Sequence, residues 1–161
     1  MPLRHRVVLG FVLIAPACLP CRADDPNRTA YWVAEDTHSV WENPDNWADP
    51  NGDPLGCYPD NSSGHNWTCV FRVELEHIYV GLQWSHSVSY IEVDSVEAGE
   101  DFGQVQLQAW GSDRSYLTVD QTVTNYGHLD IENLRVTVNI LNRWVLDFDN
   151  VEMVGNVWNQ A

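Results

Sequence analysis

The chain has 161 residues, with 23 acidic residues against 8 basic ones and a formal net charge of −15. A surface of that sign repels nucleic acid and anionic lipid, so the composition argues against a protein that binds phosphate backbones. A hydrophobic content of 44% with eight tryptophans is too high for a disordered acidic tail, and the length suits a single domain.

Residues 1–23 are predicted to be a secretory signal peptide. Arg4 and Arg6 form a positively charged start, and an apolar run follows at residues 7–15. A transmembrane helix needs about 20 apolar residues, so this run is too short to be one. The segment therefore indicates a secreted protein with no transmembrane segment.

Two processing sites compete within this segment. The small side chains of Cys21 and Ala23 precede Asp24 and predict a mature chain that begins there. An A-x-A site at residues 15–17 stands before Cys18 and resembles a degenerate bacterial lipobox. The alternative to a soluble secreted protein is therefore a lipid anchor on Cys18.

Two cysteines remain after the signal peptide. Cys57 and Cys69 flank a short stretch rich in turn formers. In an oxidising compartment we expect them to form a disulfide that closes a short loop and stabilises the fold by about 3 kcal/mol. The alternative is a pair of free thiols.

The sequence divides into two parts by composition. Residues 24–69 are rich in Pro, Asn, Asp and Gly, which predicts a looped N-terminal cap held by Trp32, Trp41, Trp47 and the disulfide. Residues 70–161 consist of short alternating runs rich in Val, Ile, Leu and aromatic residues, which predict β-strands.

From Leu117 onward the sequence matches itself with a period of 17, the separation of Asn125 from Asn142, and apolar positions stay apolar in each copy. The corresponding sets are Leu117, Leu134 and Val151; Val119, Val136 and Met153; Val123, Ile140 and Val157; Asn125, Asn142 and Asn159; Leu129 and Leu146; Ile131 and Phe148; and Asn133 and Asn150. A fixed short period predicts stacked repeats.

An earlier, looser unit fits the same pattern. Val105 and Leu107 take the positions of Leu129 and Ile131 at a wider spacing of 24, with extra residues expected at 110–115.

These patterns predict an all-β fold, a parallel β-solenoid with one repeat in each coil. Strands of neighbouring coils would pair about 4.8 Å apart, so equivalent residues would stack in columns. Asn125, Asn142 and Asn159 would then form a side-chain amide ladder at a corner. An antiparallel β-sandwich is the alternative, because it explains the alternation equally well but not the constant period.

A solenoid needs protection at both ends, since an open end exposes apolar side chains and unpaired strand edges. The Trp-rich segment would cover the first coil, whereas the sequence ends at Ala161 soon after Asn159. We therefore expect either a C-terminally truncated part of a longer repeat protein or an open end covered by self-association.

Several motifs resemble a known group of proteins. Trp32, Ser39-Val40-Trp41 and the run Asn43-Pro44-Asp45-Asn46-Trp47, followed by Gly56 and Pro59, resemble the opening of secreted bacterial repeat proteins with a right-handed parallel β-helix, of the autotransporter-passenger or planctomycete surface-protein type. Residues 117–131 and 136–148 are similar to the coils of that group. The resemblance implies secretion and a stalk-like or surface role, with no defined reaction.

Acidic residues recur in register along the predicted coils. Asp130 and Asp147 share one column, and Glu132 and Asp149 share another. Stacked like charges repel unless a cation bridges them, so the pattern predicts weak Ca²⁺ binding. The alternative is a solvated acidic face that discourages aggregation.

A second calcium candidate lies in the cap. Asp49, Asn51 and Asp53 have the spacing of the first ligands of a calcium loop, but Pro54 replaces the required glycine. The alternative is a turn-rich loop. No other cofactor is predicted.

Some β-solenoids cleave polysaccharides with carboxylates on one sheet face. The acids that would supply a general acid and base are Asp94, Glu97, Glu100, Asp101 and Asp113. Exposed loop acids are the simpler interpretation, so no catalytic residue is predicted.

Other polar and aromatic residues allow narrower expectations. The five histidines after the signal peptide lack metal-ligand spacing, so surface or loop positions are expected. Arg135 is expected to pair with Glu152 of the next coil, and Arg143 to lie over Tyr126. The tryptophans that could stack on sugars are Trp84, Trp110 and Trp158.

Together these features predict a secreted or cell-surface, non-catalytic β-solenoid segment that serves as a stalk or adhesion module. The alternative is a β-helix that binds or degrades carbohydrate. The expected partners are extracellular glycans, or a second copy of the chain at the open C-terminal coil; nucleic acid is not among them.

Overall fold

The computed structural model describes residues 26–34, 37–61, 64–73, 77–95, 97–98, 101–111 and 115–160. The predicted signal peptide, with the alternative anchor Cys18, lies outside the described residues. The described ranges contain a 3-10 turn at Pro44–Asn46, and most of their regular structure is β-strand.

Across these ranges, no helix has the length and apolar character needed to cross a membrane.

Two sheets contain most of the strands. Sheet A comprises β1 (Asn27–Trp32), β3 (Trp47–Ala48), β4 (Asn66–Val73), β6 (His86–Ser95), β10 (Tyr116–Asn125), β12 (Arg135–Thr137), β13 (Ile140–Asn142), β15 (Glu152–Val154) and β16 (Val157–Asn159). Sheet B comprises β2 (His38–Val40), β5 (His77–Leu82), β9 (Gln104–Ala109), β11 (His128–Glu132) and β14 (Val145–Asp149). A small hairpin pairs β7 (Glu97–Ala98) with β8 (Asp101–Phe102).

The chain alternates between the two sheets, and the strands within each sheet are mostly parallel. From β4 onward the chain runs from sheet A to sheet B and back, and each strand pairs with its counterpart one circuit later. A circuit here means one complete turn of the chain through both sheets, from a strand of sheet A to the strand of sheet A that pairs with it. The antiparallel pairs in the described residues are β1 with β3, β7 with β8 and a bridge from Ala48 to Pro54. The parallel pairing rules out the antiparallel β-sandwich.

The spacing of the last circuits matches the period in the sequence. Leu129 pairs with Leu146 and Ile131 with Phe148, in each case one full period further along the chain. The looser unit also has the expected spacing, because Val105 pairs with Leu129 and Leu107 pairs with Ile131.

One part of the predicted register is wrong. Leu117 pairs with Val136 and not with Leu134. The pairing of β10 with β6 shifts between Val119 and Thr122, so Asp120 and Gln121 form a bulge of exposed residues. A bulge adds a residue to one strand of a pair and bends that strand locally. The spacing returns to the predicted period at Val123.

Side-chain amides form a ladder where the chain passes from sheet A to sheet B. Nδ2 of Asn125 donates to Oδ1 of Asn142 at 2.8 Å, and Nδ2 of Asn142 donates to Oδ1 of Asn159 at 3.0 Å. Asn125 also accepts from the backbone N–H of Gly127, and Asn142 donates to the carbonyl of Trp144. Each of these two amides therefore links neighbouring circuits and closes its own turn.

A second asparagine pair marks the return from sheet B to sheet A. Asn133 and Asn150 both have positive φ, 54° and 51°, a conformation that asparagine tolerates better than most residues. Nδ2 of Asn150 donates to Oδ1 of Asn133 at 2.7 Å. The repeated asparagines thus lie at the corners, where the backbone needs them.

The core lies between the two sheets. Inward side chains of sheet B, such as Val105 and Leu129, belong to the same buried cluster as Val123 and Ile140 of sheet A. At the N-terminal side this cluster continues into aromatic packing, in which the Trp47 ring lies 5.0 Å from Trp32, 4.8 Å from Trp41 and 5.7 Å from Phe71.

Part of the predicted looped cap is regular structure. β1 pairs in parallel with β4, and β2 pairs in parallel with β5, so residues 24–69 supply the first strand positions of both sheets. Residues 49–61 and 64–65 lie mainly in turns and loops. The many turn-forming residues of this segment prevented the prediction of β1 and β2 from the sequence.

The predicted disulfide between Cys57 and Cys69 is wrong. Cys69 is a free, fully buried thiol, and its burial raises its pKa well above the ordinary value. Strand alternation turns the Cys69 side chain into the core, where it belongs to the same buried cluster as Trp67 and Phe71 and stays a thiol.

Both predicted arginine contacts are confirmed. Arg135 Nε lies 2.8 Å from Oε2 of Glu152, its cross-strand neighbour in β15. The guanidinium of Arg143 lies 5.0 Å from the ring centroid of Tyr126.

Candidate functional site

The outward side chains of sheet B form a continuous polar surface, here called face B. Strand alternation turns Ile78, Val80 and Leu82 into the core, so the residues between them face outward. The outward positions are His38 and Val40; His77, Tyr79 and Gly81; Gln104, Gln106 and Gln108; His128, Asp130 and Glu132; and Val145, Asp147 and Asp149.

The predicted acidic columns lie on face B. Asp130 pairs with Asp147, and Glu132 pairs with Asp149. Both columns change to amides at β9, where Gln106 stands beside Asp130 and Gln108 beside Glu132.

Two of the four carboxylates in these columns are engaged in hydrogen bonds. Nε2 of His128 lies 3.1 Å from Oδ2 of Asp147, and Nε2 of Gln106 donates to Oε2 of Glu132 at 2.5 Å. The pKa of Asp130 is raised by its partial burial and then by the charges of Asp147 and Glu132. The column therefore carries like-charge repulsion.

No group of three or more His, Cys, Asp or Glu side chains in the described residues is arranged to hold a metal ion. Calcium binding by the acidic columns stays a prediction. It is tested by comparing the melting temperature in millimolar Ca²⁺ with that in a chelator, and the calcium sample should melt at the higher temperature.

The second calcium candidate has a structural use. Oδ1 of Asp49 accepts from the backbone N–H of Asn51 at 2.8 Å and of Asp53 at 3.0 Å. These bonds, above all the one from Asp53, lower the pKa of Asp49. The Asp49 carboxylate closes a turn, as the turn-rich alternative anticipates.

An exposed tryptophan lies on one edge of face B. A Cβ at Gly81 would lie 2.2 Å from Cε3 of Trp110, so the six-membered ring of the indole covers the glycine directly. The Trp110 side chain nevertheless stays 48% exposed. Glycine at position 81 thus allows the ring to lie against the sheet while much of it faces solvent.

The other two tryptophans considered for sugar stacking lie elsewhere. Trp84 is exposed in the turn after β5, and Trp158 is exposed in β16 of sheet A. Trp110 is therefore the one of the three that lies on face B.

A buried cluster joins the cap to the sheets. His86, at the start of β6, is 4% exposed; its Nε2 lies 2.7 Å from Oε1 of Glu42 and its Nδ1 2.9 Å from Oδ2 of Asp60. Oε1 of Glu42 also accepts from the backbone N–H groups of Gln83 and Trp84. This charged cluster links two cap segments to the turn between β5 and β6.

His86 and Glu42 stabilise each other's charged forms. Burial alone would lower the pKa of His86, but its hydrogen bonds to Asp60 and Glu42 and their charges outweigh burial and raise it. Burial alone would raise the pKa of Glu42, but the bonds from His86 and from the Trp84 backbone lower it. The expectation that histidines lie on the surface is thus wrong for His86.

These shifts predict the pH dependence of stability. The His86 contribution is complete below its ordinary pKa of 6.5 and disappears as the pH rises through the higher folded value. The Glu42 contribution is complete above 4.5 and disappears as the pH falls through the lower folded value. The contribution of the cluster to the free energy of unfolding is therefore expected to be largest between pH 4.5 and 6.5, as measured by urea unfolding across that window and on either side of it.

A His86→Leu variant is the control for this profile, because it removes the titrating imidazole. The difference in stability between the wild type and this variant should shrink as the pH rises above 6.5, and a difference that stays constant into alkaline solution would contradict the assignment.

The acids considered for polysaccharide cleavage do not form a common site in the part of the chain that the structure describes. Asp94 lies in β6 opposite Arg72 of β4. Glu97 and Asp101 lie in the β7–β8 hairpin, and their side chains are not described; Glu100 and Asp113 lie outside the described residues.

The chain matches no known protein family, no curated protein and no solved structure.

Proposed function

We propose that the chain is a secreted, non-catalytic parallel β-solenoid that serves as a surface, stalk or adhesion module. The observation that carries the proposal is the parallel register between successive circuits, which reaches from β1 and β2 to β14 and β16. Such a stack is stabilised by contacts between neighbouring repeats and displays long, regular outer faces.

The distribution of polar groups supports a structural role. The two amide pairs of the Asn125, Asn142 and Asn159 ladder stabilise corners, and the Asp49 carboxylate closes a turn. His86 has both ring nitrogens engaged and is almost fully buried, so it is poorly placed to exchange protons with a substrate. These groups build the scaffold.

Secretion rests on residues 1–23 and on the acidic composition. An N-terminal charged and apolar segment of this length is typical of export, and a high net negative charge keeps an extracellular protein soluble. Release with a mature start at Asp24 is the proposed route, and anchoring through Cys18 is the alternative. Extracellular glycans and a second copy of the chain are the proposed partners.

Expression of the full chain in a bacterial host tests this proposal. We expect export and a mature N-terminus at Asp24, read by fractionation and mass spectrometry. Leu13→Arg, which places a charge in the apolar run, should keep the protein in the cytoplasm. Retention of the unchanged chain would contradict secretion.

The purified chain, incubated with acidic and neutral polysaccharides, should produce no new reducing ends or unsaturated products. Turnover of any of them would overturn the non-catalytic assignment.

A further inference from the structure

Face B combines an exposed aromatic ring with a row of side-chain amides. Gly81, which lies beneath the Trp110 ring, pairs with Gln108 of the next strand, so the amide lies next to the aromatic surface. Gln106 donates from Nε2 to Oε1 of Gln108 at 3.3 Å and also to Glu132. Amide and carboxylate groups thus continue from the ring across three strands.

A second ring pair lies in the neighbouring column. His38 and Tyr79 are stacked with their centroids 4.1 Å apart, and Tyr79 pairs with Gln106. The five strands of sheet B span about 19 Å at the usual ~4.8 Å strand spacing. That distance suits an extended chain of several sugar rings.

We propose that face B binds a neutral polysaccharide chain, with one sugar ring stacked on Trp110 and the neighbouring hydroxyls bonded to Gln108, Gln106 and Glu132. Sugars present an apolar ring face and a rim of hydroxyl groups. An indole provides the matching apolar surface, while amides donate and accept and carboxylates accept from hydroxyls. This inference rests on the proposed extracellular role with glycan partners and deepens it, because it names the class of glycan and the face that binds it.

The charge of face B decides between classes of glycan. Four carboxylates lie on it, those of Asp130, Asp147, Glu132 and Asp149, and no arginine occupies an outward position on the described strands of sheet B. An acidic polysaccharide would bring further negative charge to this surface and be repelled. Neutral chains avoid that cost, and their hydroxyls can donate to the carboxylates.

Isothermal titration of the full chain with hexasaccharides tests the proposal. The probes are the neutral hexamers of β-1,4-glucan, β-1,4-xylan, β-1,4-mannan and β-1,3-glucan, with hexagalacturonate as the acidic comparison. We expect at least one neutral hexamer to bind and hexagalacturonate not to bind. Trp110→Ala should weaken binding about tenfold, which corresponds to ~1.4 kcal/mol.

Trp158→Ala is the matched control, because Trp158 is similarly exposed, at 50%, but lies in sheet A. It should leave the affinity unchanged. Gln108→Ala should also weaken binding, and unchanged melting temperatures would show that both face B variants are folded.

The proposal is overturned if no neutral hexamer binds at millimolar concentration, if Trp110→Ala binds as the wild type does, or if hexagalacturonate binds as tightly as the neutral chains.

Discussion

Replacing His86 by leucine is expected to lower the free energy of unfolding by about 3–5 kcal/mol, the usual cost of removing one partner from a buried ion pair. The variant would leave the carboxylates of Glu42 and Asp60 facing an apolar side chain, with no cation between them. It would also remove a ring that lies 5.8 Å from Trp41 and 5.5 Å from Tyr58. Urea unfolding in mildly acidic solution, where the cluster contributes most, measures the loss.

His77→Leu is the control, because His77 is exposed on face B and its ring bonds Gln104 there. It should change stability by less than about 0.5 kcal/mol. Adding Glu42→Gln to His86→Leu should restore part of the loss, since it removes one of the uncompensated charges. A His86→Leu protein as stable as the His77→Leu protein would contradict the role of the cluster.

Trp47→Ala is expected to destabilise the protein by about 3–5 kcal/mol, as large aromatic deletions from packed cores do. Trp47 is fully buried and contacts Trp32, Trp41 and Phe71. Its Nε1 also donates to the carbonyl of Trp41 at 2.8 Å, so the substitution would leave that oxygen without this donor. Thermal and urea unfolding both report the change.

The comparison for this experiment is the exposed Trp158→Ala, which should cost less than about 0.5 kcal/mol. Equal losses in the two variants would mean that the aromatic cluster does not stabilise the fold.

The register of the last circuits was predictable because parallel stacking gives equivalent positions the same environment. Leu129 and Leu146 point into one core, and the asparagines at 125, 142 and 159 meet the same corner. Each constraint therefore repeats the same residue type at a fixed distance along the sequence. The bulge at Asp120 and Gln121 gives no such repeat, because exposed polar residues can occupy any position of the pattern.

The disulfide prediction failed for a different reason. Sequence spacing measures how easily a loop closes, but it does not show whether the two sulfur atoms meet in the folded chain. Cys69 alternates in step with Trp67 and Phe71, and that pattern could have placed it in the core. For Cys69, the alternation of buried residues along β4 was therefore a better guide than the turn-rich composition of the preceding residues.

The His86 cluster could not be predicted from the sequence. Glu42 and Asp60 lie 44 and 26 residues before His86, in segments without a regular pattern. Their approach depends on how the cap folds against β6, which no spacing rule describes. Face B was only partly predictable: the acidic columns follow the period, whereas Trp110 over Gly81 depends on the turn after β9.

The corner asparagines have a consequence for how such a chain can lengthen. Asn142 receives one amide bond from the preceding circuit and gives one to the next. A tandem duplication of the DNA that encodes one repeat would insert a new layer whose neighbours already offer the right donors, acceptors and apolar partners. Lengthening by duplication therefore requires no new type of contact between layers, and the number of layers can change while the cross-section stays the same.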